Sequence, residues 1–149
     1  MPLAPMKGLG LHIGVDPSIF FNARRVRDAV DRAKRGVLVR QGSYLRTVAR
    51  HMIHRRRGAS APGHPPHSHV GLLRDQIFYG YDRAAESVVV GPRVFKASRD
   101  VPGVHEFGGT LPSRRGHRAA RYPARPYMGP ALERSEPKLA SFWHDSVKG

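Results

Sequence analysis

The chain has no cysteine, which excludes disulfides, thiolate nucleophiles and cysteine-ligated zinc. Acids are scarce: 11 Asp and Glu stand against 26 Lys and Arg, for a net charge of +15. That balance suits polyanions or acidic protein surfaces, without establishing nucleic-acid binding. Tryptophan occurs once, at Trp143, and no stacking-aromatic motif, helix-turn-helix spacing or zinc pattern accompanies the charge. There is no run of 18 apolar residues, and Lys7 is not followed by an apolar stretch of signal-peptide length. The protein is therefore expected to be made in a cytoplasm and to have no membrane contact. Its 149 residues, 40% of them hydrophobic, suit a single domain with one sheet and two or three helices.

The stretch that organises the rest runs from about Asp16 to Arg57. Asp16 followed by Pro17 is a helix start signal, because the Asp side chain accepts from first-turn amides and Pro needs no amide partner there. Ile19, Ala23, Val26, Val30, Ala33 and Val37 follow at spacings of four and three, which predicts one buried helical face. Leu45, Val48, Ala49, Met52 and Ile53 form a second, rotated set beyond Gly36 and Gly42. The expectation is one long bent helix, or two helices jointed between those glycines. Such a helix is longer than one small core covers, so part of it is expected to meet another chain. The opposite face is basic, with 12 Lys and Arg in residues 17–57 against only Asp28 and Asp31. Asp28 with Arg32 and Asp31 with Arg35 are spaced for i,i+4 ion pairs worth about 0.2–0.5 kcal/mol each.

Residues 1–8 read as a flexible lead, and Leu9, Leu11, Ile13 and Val15 alternate as a half-buried strand. Residues 58–71, GASAPGHPPHSHVG, form a long loop. Its His64, His67 and His69 read as loop residues rather than ligands: fixed helical or strand spacing is lacking, and no carboxylate or cysteine is near. Leu72 and Leu73 begin a short helical turn. Ile77, Tyr79 and Tyr81, then Val88 to Val90, predict a β-hairpin across the polar turn at 82–86, closed by Pro92, which has no N–H for a ladder. Glu106, in VHEFGGT, has no partner acid and reads as structural. Residues 111–121 form a second long loop with Arg114, Arg115, Arg118 and Arg121 and no acid, either a solvated loop or an arm that meets phosphate or an acidic neighbour. Pro123 and Pro126 confine the next segment to an edge strand or an irregular lead, and Pro130 suits a helix start. Pro137 is expected to interrupt that helix, placing Leu139, Phe142, Trp143 and Val147 in a second one with Trp143 as a packing anchor.

SAPG at 60–63, GLL at 71–73, VVVGP at 88–92, HEFGG at 105–109 and ARPYMGPALE at 124–133 together resemble the virion-morphogenesis proteins of tailed bacteriophages, the neck and tail-completion group. The resemblance covers most of residues 9–147. Its most specific part is the ordered pair of an acid-Phe-Gly segment (Glu106, Phe107, Gly108) and an Ala-Arg-Pro-aromatic segment (Arg125, Pro126, Tyr127) leading through Pro130 into a helix. It implies an α+β fold, with a long N-terminal and a short C-terminal helix packed on a small, mainly antiparallel sheet. The motif residues are then expected to hold the sheet to the C-terminal helix. The implied function is a structural one: a homo-oligomeric ring in the virion neck or tail that joins or completes head and tail around the DNA passage. Neighbouring neck or tail proteins and non-specific contact with passing DNA are the implied partners. No enzymatic activity, cofactor, metal or small-molecule substrate is expected. The competing expectation is a stand-alone basic nucleic-acid-binding protein.

Overall fold

The computed structural model describes residues 22–93, 100–111 and 119–147. Its long helix, α1, runs over Ala23–Met52, about 45 Å at 1.5 Å per residue. Asn22 has non-helical backbone (φ −79°, ψ 83°) and its side chain accepts from the Arg25 amide at 3.0 Å. The described helix thus starts at its own cap, while Asp16, Pro17 and the strand expected at 9–15 lie outside the described residues. It stops at Met52 rather than Arg57, because Ile53 turns extended and the next residue, His54, pairs with His67 in a parallel bridge. Neither Gly36 nor Gly42 breaks it. At Gly42 an added Cβ would lie 3.1 Å from Tyr79 Cδ2 and closer still to Val88 Cγ2, so the missing side chain lets the sheet pack against the helix.

A short helix, α2 (Leu72–Asp75), leads into the hairpin of β1 (Ile77–Asp82) and β2 (Ser87–Pro92), whose register pairs Ile77 with Pro92 and Tyr81 with Val88. The Asp82 carboxylate organises the turn by accepting from the amides of Ala84 and Ala85 at 2.9 and 3.1 Å. The inner face carries buried Ile77; Phe78 and Val89, on the outer face, are exposed. Lys34 ties the turn to α1 through Glu86 at 2.7 Å, and this bond holds the ammonium above its usual pKa. Asp31 lies 3.9 Å from Lys34, while Arg35 sits over the Tyr81 ring at 5.6 Å. No ion pair joins Asp31 to Arg35 or Asp28 to Arg32: Asp31 is nearest Lys34, and Arg35 is turned to the tyrosine ring.

Beyond the hairpin come α3 (Val101–Phe107), β3 (Gly109–Leu111), β4 (Ala120–Tyr122) and α4 (Met128–Leu139), which runs into a 3-10 turn at Ala140–Trp143. The ends of the expected 111–121 loop are therefore paired: Leu111 faces Ala120 and Thr110 faces Arg121 in a second antiparallel ladder. Pro130 is the third residue of α4 rather than its first. Pro137 lies inside that helix instead of splitting it. The carbonyl deprived of an N–H is that of Glu133, on an exposed stretch open to solvent. Trp143 is 45% exposed and not the anchor expected; Phe142 packs instead, with its ring centroid 5.7 Å from that of Tyr44.

The fold is α+β, with its core where the C-terminal half of α1, the β1–β2 hairpin and α4 converge. Ala49, Ile53, Leu73, Ile77, Tyr127 and Ala131 are its buried members, flanked by Leu45, Val48, Met52, Val90 and Met128. The first apolar stripe of α1 is covered only from Val37 onward; Val26 and Val30 remain 45% and 43% exposed. That corrects the expectation of a face buried along its whole length. The hairpin and α4 do not extend far enough along the helix.

Candidate functional site

Three of the segments noted in the sequence meet at the N-terminus of α4. A helix begins with amides that lack intrahelical partners, and the side chain at the Tyr127 cap position makes no capping bond of its own. Glu106, at the end of α3, supplies the acceptors. Its Oε2 takes the amides of Tyr127 and Met128 at 2.9 and 3.0 Å, and its Oε1 takes that of Gly129 at 2.8 Å. A carboxylate at a helix N-terminus is favoured by the helix dipole and by charge-assisted hydrogen bonding. Both of its oxygens are engaged, so Glu106 is a capping group supplied from another element. It is not a spare acid.

Arg125 fastens the same junction from the other side. Its amide donates to the His105 carbonyl at 2.6 Å, its Nε donates to the Ser60 carbonyl at 2.8 Å, and the Gly63 amide donates to the Ala124 carbonyl at 2.8 Å. The 60–63 loop, the end of α3 and the lead into α4 thus form one hydrogen-bonded node. Burial and then the nearby Arg125 guanidinium push the His105 pKa down. Tyr127 is fully buried beneath the node, and burial, followed by the charges of Glu106 and Asp100, pushes its phenol well above the usual range.

Gly108 explains the glycine of the motif. Its φ of 74° is left-handed, and an added Cβ would stand 3.0 Å from the Ala124 amide nitrogen and 3.2 Å from the Tyr122 carbonyl oxygen. Phe107 is 85% exposed. Pro126 is half-buried in the lead to α4, and Pro130 in its first turn. The motif residues therefore join α3 and the 60–63 loop to α4, and Tyr127 packs in one core with Ile77 of the hairpin and Ala131 of α4. Two members of the node were not anticipated. Asp100 caps α3 by accepting from the Gly103 amide at 2.9 Å, and the Asp-x-Pro signal at 100–102 was available for it. Ser60 participates through its carbonyl, for which a side-chain pattern gives no cue.

Of the four arginines assigned to an arm, Arg114, Arg115 and Arg118 lie outside the described residues. Arg121 is in β4 opposite Thr110 and so belongs to a strand rather than a mobile arm. No helix among the described residues is long and apolar enough to cross a membrane. The node is a structural joint, and uncovered surface lies elsewhere: the apolar side chains Val26, Val30, Val89 and Phe107, and the exposed Arg24, Arg25 and Arg27 at the start of α1. Comparison with family models, with curated proteins and with solved structures found no match for this chain.

Proposed function

We propose that the protein is a structural component of a tailed-phage virion, a neck or tail protein that forms a homo-oligomeric ring joining or completing head and tail around the DNA passage. The observation that carries this reading is the uncovered N-terminal half of α1. From Ala23 to Gly36 it extends about 21 Å with Val26 and Val30 exposed on one stripe, a face that a neighbouring subunit would cover. Oligomer interfaces of this kind are more apolar than ordinary surface. The segments behind the phage resemblance also meet in one joint: SAPG, HEFGG and ARPYMGPALE are hydrogen-bonded together, while GLL and VVVGP contribute Leu73 and Val90 to the core. Both carboxylate oxygens of Glu106 and the Nε of Arg125 are engaged within this joint.

The basic surface fits contact with passing DNA or with an acidic neighbouring ring. Replacing Val26 and Val30 by Asp tests the interface, because both are exposed and the monomer fold does not depend on them. The double variant is expected to fold with an unchanged denaturation midpoint and to be lost from assembled particles. Normal incorporation removes this face from the interface. Replacing Arg114, Arg115, Arg118 and Arg121 by Ser separates docking from DNA contact. If particles assemble normally while DNA affinity falls, stand-alone nucleic-acid binding becomes the better reading, and that affinity would show the steep salt dependence of phosphate contacts.

A further inference from the structure

The end of α1, the 53–71 segment and α4 line a cleft of about 480 Å³ that lies beside the capping node and shares Ser60 with it. His51 lines it from α1, His54, His64 and His67 from the following segment, Ser60 from the loop floor and Arg134 from α4. No carboxylate lines it. The two arginines nearest in sequence, Arg50 and Arg55, are turned to Asp75 at 3.1 and 3.4 Å. Two polar atoms in its wall, Ser60 Oγ and His67 Nδ1, are buried without a hydrogen-bond partner among the described residues, and Ser60 is only 8% exposed. A buried polar atom left unpaired is costly, and both of these belong to side chains that line the cleft.

We infer that this cleft is a binding site for a phosphate group. The lining is rich in donors: each imidazole has at least one N–H in any protonation state, Arg134 offers a fork of five, and Ser60 a hydroxyl. A metal ion is the poorer match, because among the described residues no three His, Cys, Asp or Glu side chains come close enough to share one. A carboxylate has two oxygens for donors that arrive from three elements; a phosphate has more, and carries a second charge. With no carboxylate in the lining, Arg134 and the imidazole N–H groups are left without an anionic partner among the described residues, and a multivalent anion entering between them would supply one. The phosphate arrives either as a free phosphate or phosphomonoester, or as a nucleic-acid backbone. The inference does not depend on the ring reading.

The test is a titration of the full chain, followed by histidine side-chain NMR, with pyrophosphate and with chloride matched in ionic strength. Saturable shifts of the cleft histidines are expected with pyrophosphate and not with chloride. His64→Gln and Arg134→Gln, both at exposed positions, are each expected to weaken binding several-fold with an unchanged unfolding midpoint. A parallel arm with a short single-stranded oligonucleotide identifies the source. Competition with pyrophosphate for the same histidines assigns a backbone phosphate; pyrophosphate binding without competition assigns a free one. Non-saturating shifts spread over the arginine surface, binding unaltered in both variants, or a preference for zinc over pyrophosphate would each overturn the inference.

Discussion

Gly36 and Gly42 lie on the same helix, six residues apart, and the structure assigns them opposite responses to a single methyl group. Replacing a helical glycine by alanine gains about 0.8–1 kcal/mol from propensity alone. That gain is common to both sites and cancels when the two variants are compared. At Gly36 no atom lies within 4 Å of the new Cβ, so the full gain is expected. At Gly42 the methyl meets Tyr79 Cδ2 at 3.1 Å and Val88 Cγ2 more closely. Val88 is β-branched and restricted in χ1, and its strand is held by the ladder to Tyr81. Relief requires the hairpin to move, which as overpacking costs about 1–3 kcal/mol. Gly36→Ala is therefore expected to be more stable than the parent, and Gly42→Ala to lie about 1–3 kcal/mol below Gly36→Ala. Urea unfolding with common slopes measures the difference. Equal stabilisation by both substitutions would refute the close packing of the hairpin on α1.

Three further outcomes follow from the capping node. Glu106→Gln puts an amide nitrogen where an acceptor oxygen now meets an N–H, and it removes the charge at the helix start; a loss of about 1–3 kcal/mol is expected, and an unchanged denaturation midpoint would contradict the cap. Tyr127→Ala is expected to cost about 3–5 kcal/mol, whereas Tyr127→Phe should cost little or stabilise, because the buried hydroxyl has no partner among the described residues. The raised phenol pKa adds a sign: Tyr127 supports the fold fully below its unfolded value of 10.0 and loses that support as pH rises toward the folded value, so Tyr127→Phe should flatten the alkaline decline of the melting temperature. His105 acts at the other end of the scale. Its folded pKa lies below the unfolded 6.5, so its contribution is full above that value and is lost as pH falls through the folded one. His105→Asn is expected to make stability less pH-dependent between pH 7 and 5, and an unchanged slope in thermal melts would count against it.

The elements legible in the sequence were those with enough residues to display a period. The stripe from Val37 through Ala49 to Ile53 and the alternation of Ile77, Tyr79 and Tyr81 each mark a face that the structure buries in whole or part. Val26 and Val30 belong to the same periodic pattern but remain exposed, since periodicity specifies a face without specifying what covers it. The seven residues of α3 and the three of β3 and of β4 are too short for a period. Only the Asp100 and Pro102 start signal marked the first of them. Pro137 misled because the rule against proline in helices weighs a lost hydrogen bond, and the carbonyl concerned is open to solvent. Trp143 misled because residue type predicts burial only on average. The capping of α4 by Glu106 bridges 22 residues between Glu106 and Met128. No local pattern carries such a contact, although HEFGG and ARPYMGPALE were recognisable as segments before their joining was visible.

The central claim, that this chain is a repeated structural subunit of a virion, is tested most directly by determining whether intact phage particles from cells that carry its gene contain it, and in what copy number and arrangement. Cryo-electron microscopy of the head-tail junction and tail ends, with density fitted by the α1 helix and the hairpin, gives both. A closed ring of several copies around the DNA passage, with Val26 and Val30 covered by the adjacent subunit, is the predicted result. Absence from the virion, or a single copy per particle, would contradict it.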